Sequence, residues 1–249
     1  MSKRMRKFGL IGEHLPHSFS GHYFAAKFER EGITNCEYSL YELAQIEDVK
    51  PLLHPTDGLE GFNITIPYKR DIIQYLDVLS PEAKAVGAVN CVKRVDDKLI
   101  GYNTDIIGLY DSMVTFLDGA QPSHALILGT GGAASAVEYV MQQLNIAYKV
   151  VSRSKGEGRI TYSELTPDIV ATTPLIINAT PLGTFPDVES APDLPYQSLT
   201  PSHYLFDLVY NPPLTQFLKR GKERGAKICN GEAMLIGQAE AAWKIWNNR

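Results

Sequence analysis

The sequence is poor in cysteine, has no long apolar run and carries little excess of either charge. Cys36, Cys91 and Cys229 are far apart, a spacing that favours neither a disulfide framework nor a metal site. No stretch approaches the roughly 18 apolar residues of a membrane helix, and the start MSKRMRKFGLIG lacks the apolar core of a signal peptide. A formal net charge of −4 provides no basic field for nucleic acid or membrane. These absences favour a soluble cytoplasmic protein with small-molecule partners.

The sequence does contain a regular alternation of short apolar runs with helix-like stretches. In the first third, KFGLIG, CEYSLYEL and GFNITI predict strands. Residues 18–31 predict a helix capped by Ser18 or Ser20. VNCVKRVDDKLIGYN predicts a hairpin that turns at its Asp-Asp pair. This mixture predicts an N-terminal domain of mixed α/β structure over residues 1–105.

The rest of the chain predicts a second domain with a parallel sheet. ALILG predicts a strand buried on both faces, followed by a glycine-rich turn and the helix AASAVEYVMQQL. Four similar apolar runs follow, AYKVVS, PLIINAT, YLFDLVY and AKICN, and strand–helix alternation of this kind gives a doubly wound sheet. We therefore predict a Rossmann-like domain over residues 106–231 and an apolar-faced helix over residues 232–249.

The turn GTGGAA has the G-x-G-x-x-A pattern of a dinucleotide-binding site. Gly129 permits the tight turn, Gly131 lets the backbone approach a pyrophosphate, and Ala134 lets helix and strand pack closely. The helix N-terminus adds N–H groups and partial positive charge. A tight strand–helix connection without a ligand explains the same pattern. Because a second strand ends about 20 residues later, as in such sites, dinucleotide binding is the favoured interpretation.

The tip of that second strand indicates which dinucleotide is bound. NAD sites usually place Asp or Glu there, whereas a 2′-phosphate favours Arg. The tip reads Ser152, Arg153, Ser154 and Lys155, with no carboxylate before Glu157. Arg153 can form a fork to phosphate, and Ser154 can donate a hydrogen bond. The alternative is a solvated basic loop, and we favour NADP.

Four clusters of polar residues follow predicted strands in the first half of the chain. They are HSFS (17–20), NITIPYK (63–69), AVN (88–90) and YNTD (102–105). Each alone has an ordinary structural explanation, such as a helix cap or a polar strand face. Together they supply hydroxyl and amide groups, one lysine and one carboxylate, which suits a small polyhydroxylated carboxylate. His14, His17 and His22 lack the acidic partner and spacing of a zinc site, so we predict no metal.

The order of these motifs resembles that of the shikimate dehydrogenase family. The motifs are HSxS, N-x-T-x-P-x-K, GAVN, G-x-NTD, GxGGA, N-A-T-P-x-G and G-x-x-M-L-x-x-Q-A, and they span nearly the whole chain. The resemblance implies a substrate domain, a Rossmann-like NADP domain, a C-terminal helix that returns to the first domain, and a substrate cleft between the domains. It implies NADP-dependent interconversion of 3-dehydroshikimate and shikimate, a step of chorismate biosynthesis, by a monomer or homodimer.

Matched position by position, the resemblance also implies the roles of individual residues. The catalytic pair is Lys69 and Asp105. The residues that bind substrate are Ser18, Ser20, Asn63, Thr65, Asn90, Tyr210 and Gln238. The residues that bind the cofactor are Gly129, Gly131, Gly132, Ala133, Ser152, Arg153, Ser154 and Thr180. The chemistry agrees, because ketone reduction needs a proton donor beside the developing alkoxide, and a carboxylate can orient a lysine in that role. Which of the pair moves the proton stays open.

The sequence departs from the family pattern at three places. Gly21 stands where Pro is usual after the second serine, which we expect to loosen the helix start. Cys91 stands where Thr is usual. The segment SRSKGEGRITYSEL is short and glycine-rich where the family commonly has a helix.

Two other functions compete with the favoured one. An NAD-preferring quinate/shikimate dehydrogenase is disfavoured by the missing acid at the strand tip and by the presence of Ser18 beside Ser20. A non-catalytic ligand sensor on the same scaffold is disfavoured by Lys69 and Asp105, because a sensor needs no proton-transfer pair.

Overall fold

A computed structural model describes residues 4–16, 18–54 and 58–248 of the chain. The chain divides into two compact units. The first unit contains the chain up to Thr104 and again from Gln238 onward, and the second unit is Asp105–Gly237. None of the helices in the described ranges combines the length and apolar character needed to cross a bilayer.

The first unit is built on a six-stranded mixed sheet. Its strands are β1 (Arg6–Gly12), β2 (Cys36–Glu42), β3 (Gly61–Ile64), β4 (Val78–Leu79), β5 (Cys91–Val95) and β6 (Lys98–Tyr102). Their order in the sheet is β2-β1-β3-β5-β6-β4. β1, β2 and β3 run parallel, whereas β5 is antiparallel to both β3 and β6. The mixed sheet and the β5–β6 hairpin agree with the prediction.

Helices of the first unit pack on both faces of this sheet. They are α1 (Phe19–Arg30), α2 (Pro81–Val86) and two 3-10 segments, Ile46–Leu53 and Asp71–Tyr75. Successive residues of a strand face opposite sides. Thus Ile11 belongs to an apolar cluster with Phe62 and Ile72, while Phe8 of the same strand packs with Phe24 and Trp246.

The C-terminal helix α7 (Glu232–Asn247) completes the second of these clusters. Trp246 stacks on Phe8 with ring centroids 4.8 Å apart, and its indole N–H donates to the Val92 carbonyl at 2.9 Å. Gly61 lies directly beneath the indole ring, where a Cβ atom would overlap the ring. The close approach of β3 and Trp246 therefore requires glycine at position 61.

A buried ion-pair network joins α7 to α1. Lys27 is 4% exposed, and its ammonium lies 2.8 Å from both Glu31 and Glu240. Tyr23 also donates to Glu240. Burial lowers the pKa of Lys27, but hydrogen bonds to Glu240 and Glu31 outweigh it, and the net shift is upward. The lysine therefore stays charged and holds the C-terminal part of α7 on the first unit.

The second unit contains a six-stranded sheet in which all strands are parallel. Its strands are β7 (His124–Leu128), β8 (Ala147–Ser152), β9 (Arg159–Thr161), β10 (Leu175–Asn178), β11 (Tyr204–Asp207) and β12 (Lys227–Cys229). Their order is β12-β11-β10-β7-β8-β9. Counted within the unit this is the 3-2-1-4-5-6 order typical of Rossmann folds. The predicted doubly wound fold is confirmed.

The helices of the second unit connect these strands. They are α3 (Thr104–Leu117), α4 (Gly132–Gln143), α5 (Pro167–Thr172), α6 (Gln216–Glu223) and the 3-10 segments Tyr162–Glu164 and Tyr196–Ser198. The short segment after β8 forms β9 and a 3-10 turn, so the second strand is not followed by an α-helix of ordinary length there.

Candidate active site

Two serines mark the start of α1 in the first unit. Ser18 is the N-cap residue, and its hydroxyl oxygen accepts a hydrogen bond from the Gly21 N–H at 3.5 Å. α1 runs without interruption from Phe19, and Gly21 supplies a donor that a proline would lack. Because a hydroxyl can accept and donate at once, Ser18 keeps its own O–H for a ligand.

A hydrogen-bond chain in the first unit gathers three of the predicted substrate residues. The Tyr38 hydroxyl donates to Asn63 Oδ1 at 2.9 Å, and Asn63 Nδ2 donates to the Asn90 carbonyl at 3.1 Å. Ser20 is the hydrogen-bonding neighbour of the Tyr38 hydroxyl. Burial raises the pKa of Tyr38 well above its ordinary value, so the phenol is a neutral donor. The structure thus brings Ser20, Asn63 and Asn90 together through Tyr38.

The amide of Asn90 has a structural function as well. Its Oδ1 accepts from the backbone N–H of Thr104 at 2.6 Å and from the Thr104 hydroxyl at 3.2 Å. Asn63 and Asn90 are both nearly fully buried, at 4% and 3% exposed. An amide offers two donor hydrogens and two acceptor lone pairs. Each side chain therefore retains hydrogen-bonding capacity beyond these contacts.

The two predicted catalytic residues are both half-buried. Lys69 follows the turn after β3, and its carbonyl accepts from the Val89 N–H at 2.7 Å. Asp105 is the second residue of α3. Thr65 is also half-buried, and Gln238 is buried on α7 at the point where that helix enters the first unit.

The glycine turn of the second unit borders a cavity of about 520 Å³. Its lining comes from residues 131–133, 179–181, 184–185 and 208–211. Gly129 has φ 113°, a conformation that favours glycine, and a Cβ atom there would lie 3.1 Å from the Ala179 carbonyl oxygen. The cavity therefore lies beyond the carboxyl ends of β7, β10 and β11, where the strand order reverses and nucleotides bind in such sheets.

The start of α4 has the donors that a pyrophosphate requires. Gly131 is its N-cap residue and has no side chain with which to cap the helix. The first N–H groups of a helix have no partner within the helix. Gly131 and Gly132 are exposed, and a Cβ atom on either would meet nothing within 4 Å. The turn is therefore open to a phosphate group, and the predicted residue Ala133 lies in the same exposed turn.

A buried carboxylate organises the opposite wall of this cavity. Asp207 is 0% exposed and accepts hydrogen bonds from Val209 N–H at 3.0 Å, Asn178 Nδ2 at 2.9 Å and the Thr215 hydroxyl at 2.6 Å. Burial raises the pKa of the Asp207 carboxyl to about 6, although these hydrogen bonds act in the opposite direction. Asn178 Oδ1 in turn accepts from the N–H and hydroxyl of Thr180, at 3.1 and 2.6 Å.

The tip of β8 lies at the same edge of the sheet. Ser152 is buried and donates its hydroxyl to the Ser154 carbonyl, whereas Arg153 and Ser154 are exposed. Burial raises the pKa of Tyr162, and the nearby positive charge of Arg153 opposes that shift. Arg153 is thus exposed at the strand tip, and neither of its sequence neighbours, Ser152 and Ser154, is acidic.

Some residues of these networks were not predicted from the sequence. The sequence alone predicts no role for Tyr38, Asp207 or Thr215, and it marks Asn178 only as the first residue of the motif N-A-T-P-x-G. A signal was present for two of them, because Asn178 and Asp207 are polar residues that end apolar runs, at the sheet edge where ligands bind. The contacts of Tyr38 depend on which strands pair.

Other predicted site residues have separate positions. Tyr210 is exposed and belongs to the lining of the cavity in the second unit. His17 lies outside the described residues. Within the described ranges, no three His, Cys, Asp or Glu side chains form a group that could hold a metal ion.

These features define a class of protein, a dinucleotide-binding enzyme with a separate unit that gathers buried amides and hydroxyls. Residues 10–92 match the family model described as the shikimate dehydrogenase substrate binding domain. The shikimate dehydrogenase (NADP(+)) of Clostridium beijerinckii is 38% identical, over 97% of this chain and 92% of the relative. The chain belongs to the shikimate dehydrogenase family.

Solved structures agree with this membership. The shikimate 5-dehydrogenase of Thermus thermophilus, in complex with NADP(H) and shikimate, is 29% identical with a TM-score of 0.82, over 98% of this chain and 94% of that one. The quinate dehydrogenase of Corynebacterium glutamicum, in complex with NAD, is 26% identical with a TM-score of 0.87, over 98% and 94%. The scaffold is therefore shared by enzymes that differ in substrate and cofactor.

Proposed function

We propose that this chain catalyses the reversible, NADP-dependent reduction of 3-dehydroshikimate to shikimate. The observation that carries the proposal is the match, over 97% of the chain, to a shikimate dehydrogenase (NADP(+)). Shikimate and NADP are accordingly its small-molecule ligands. All three cysteines are thiols, a state typical of a reducing compartment, and we place the reaction in the cytoplasm.

The substrate is held by the polar groups of the first unit. Ser18 and Ser20 bind the carboxylate through their hydroxyls. The residues that bind the ring hydroxyls are Asn63, Thr65, Asn90 and Gln238. The support for this assignment is that the two asparagines are held in place by protein contacts and still have hydrogen-bonding capacity left.

The residues at the glycine turn and the strand tip hold the cofactor. Open N–H groups at Gly131, Gly132 and Ala133 suit the pyrophosphate, and Thr180 lines the same cavity. Arg153 and Ser154 suit a 2′-phosphate, since both are exposed and the residues directly before and after them in the sequence are not acidic. When bound, NADPH supplies the hydride that is added to the carbonyl carbon.

Lys69 supplies the proton that the carbonyl oxygen takes up as its carbon receives the hydride. Its ammonium also stabilises the negative charge that develops on that oxygen. Asp105 orients the lysine and balances its charge. One hydride and one proton convert the ketone to the alcohol, and the reverse reaction returns both.

A spectrophotometric assay at 340 nm tests the proposal. Purified protein should reduce NADP in the presence of shikimate, at a kcat/KM at least tenfold above that with NAD, because only NADP offers a phosphate to Arg153. The assay is repeated with quinate in place of shikimate and with NAD in place of NADP. Preferred turnover of quinate with NAD would contradict both the substrate and the cofactor proposed here.

A further inference from the structure

A single buried carboxylate connects three separate segments at the cavity of the second unit. Asp207 ends β11 and has no exposed surface. Its Oδ1 accepts from Asn178, at the end of β10, and from the Val209 N–H, while its Oδ2 accepts from Thr215. Thr215 is the N-cap residue of α6. The carboxylate therefore joins two strand ends and a helix start.

Two of these connections lead directly to the cavity wall. The first connection runs through Asn178, whose Nδ2 donates to Asp207. The Oδ1 of Asn178 accepts hydrogen bonds from both the N–H and the hydroxyl of Thr180, which lines the cavity. The second connection is the hydrogen bond from the Val209 N–H to Asp207, and both Val209 and the next residue, Tyr210, line the cavity. The Leu208 N–H donates to the Asn178 carbonyl at 3.0 Å, which ties the two segments together a second time.

The third connection, the hydrogen bond from Thr215, reaches the same cavity wall through Gly183. The Thr215 side chain is 0% exposed and contacts the site where Gly183 would carry a Cβ atom, at 3.3 Å. Gly183 has φ 88° and lies in the segment that contains Thr184 and Phe185 of the lining. A shift of Thr215 would therefore reach the cavity through Gly183.

We propose that Asp207 is a positioning residue of the cofactor site, which shapes the cavity wall at residues 179–185 and 208–211 without touching the cofactor. The inference rests on the proposed function, since it takes this cavity to be the NADP site. A contribution to stability does not explain why an acidic residue is buried at position 207, because burying a charge costs free energy. Its two oxygens do provide acceptors for donors from three segments at once, which an apolar side chain of similar size would not.

The test separates the hydrogen bonds of Asp207 from its charge. Asp207→Ala removes every acceptor, and we expect the NADP Kd and KM to rise about ten- to hundredfold, as misplacement of a binding wall typically does. The shikimate KM at saturating NADP should change less than twofold. Asp207→Asn keeps one carbonyl oxygen as an acceptor for Val209 and Asn178. Because only the hydrogen bond from Thr215 is lost, this variant should bind NADP within about threefold of wild type.

Thr173→Val is the matched control. Thr173 is buried, lies in the same unit and donates its hydroxyl to the Ile169 carbonyl at 2.7 Å, but it precedes β10 at the opposite end of the strand. This variant should bind NADP as wild type does. Asn178→Ala should resemble Asp207→Ala, and the double variant should lose no more than the worse single variant, because both break one chain of contacts.

Each outcome bears on the proposal. Equal losses of NADP and shikimate affinity in Asp207→Ala, or a loss in Asp207→Asn as large as in Asp207→Ala, would overturn it. If Asp207→Ala does not fold, Thr215→Val and Asn178→Ala replace it with the same expectation. Wild-type protein that binds no NADP would overturn the proposed function together with this inference. NADP-linked turnover that Asp207→Ala leaves unchanged would overturn the inference alone.

Discussion

At the scale of single residues, the proposed chemistry depends most on Lys69. We expect Lys69→Ala to lower kcat by about two to four orders of magnitude, because general acid catalysis typically contributes that much. The KM for shikimate should change far less, since the lysine acts mainly in the transition state. Steady-state kinetics with shikimate and NADP measure both constants. Arg70→Ala, at the exposed neighbouring position, is the control and should behave as wild type. Near-normal turnover of Lys69→Ala at any pH would refute the assignment.

The two serines of α1 allow capping and substrate binding to be separated. Ser18→Ala removes an observed cap and should cost about 1 kcal/mol of unfolding free energy. Ser20→Ala removes no cap. We expect each variant to weaken shikimate binding tenfold to hundredfold, because a hydrogen bond to a charged group contributes about 1.5–3 kcal/mol. Thermal unfolding and titration with shikimate distinguish the effects. Unchanged shikimate affinity in both variants would leave the substrate carboxylate without its proposed anchor.

The buried carboxylate of Asp207 predicts a specific dependence of stability on pH. Its pKa in the folded protein is about 6, above the ordinary value of 3.8, so the folded state binds the proton more tightly than the unfolded state. The stability that the protonated group contributes is complete below about pH 4 and is lost as the pH rises through 6. Relative to Asp207→Asn, wild type should therefore lose up to about 3 kcal/mol between pH 4 and pH 7. Urea unfolding of both proteins across this range measures the difference, and a constant difference would contradict the prediction.

Single residues were predictable where a motif marks them and unpredictable where a pairing creates their role. Ser18 stands at a predicted helix start and Gly131 in a predicted strand–helix turn, whereas the role of Lys69 follows from the family resemblance and stays a prediction. Tyr38 has no such pattern, since its contact with Asn63 exists only because β2 and β3 both pair with β1. The role of Asp207 likewise depends on β10 and β11 being neighbours.

At the scale of elements, we propose that the tip of β8 determines which dinucleotide is bound. Arg153→Ala should raise the NADP KM about tenfold or more while leaving the NAD KM nearly unchanged, because only NADP presents a 2′-phosphate to the guanidinium. Arg224→Ala, exposed at the end of α6, removes a charge from the same unit and serves as the control. Initial rates with each cofactor measure the effect. Equal losses with NADP and NAD would show that Arg153 has a structural function instead.

Elements were predictable in proportion to their length and periodicity. The apolar runs of β7, β8, β10 and β11 and the helical stretches of α4 and α7 were identified, because burial imposes a pattern on them. The two-residue β4 and three-residue β9 were not. Neither lies in a longer apolar run such as AKICN, which predicts the equally short β12, and both form through pairing with a neighbouring strand. The run YLFDLVY predicts one strand, but β11 ends at Asp207, and the last three residues of the run line the cavity instead.

At the scale of the whole molecule, the first unit depends on a helix from the other end of the chain. Trp246 is 4% exposed and packs on Phe8 and Phe24, so Trp246→Ala should cost about 3–5 kcal/mol of unfolding free energy. Ile236→Ala, at an exposed position of the same helix, should cost less than about 0.5 kcal/mol. Chemical denaturation followed by circular dichroism compares the two. Similar small losses in both would mean that α7 is not needed for the core of the first unit.

The discontinuity of the first unit also has a consequence for synthesis on the ribosome. Domains fold as units, and those made first usually fold first. Here β1 and α1 are made first, but the helix that covers Phe8 and Phe24 follows only after all of Asp105–Gly237 has been translated. Until then, the nascent N-terminal sheet lacks the helix that covers one of its apolar faces. We therefore expect the unit that begins the chain to complete its core only after the rest of the chain has been made.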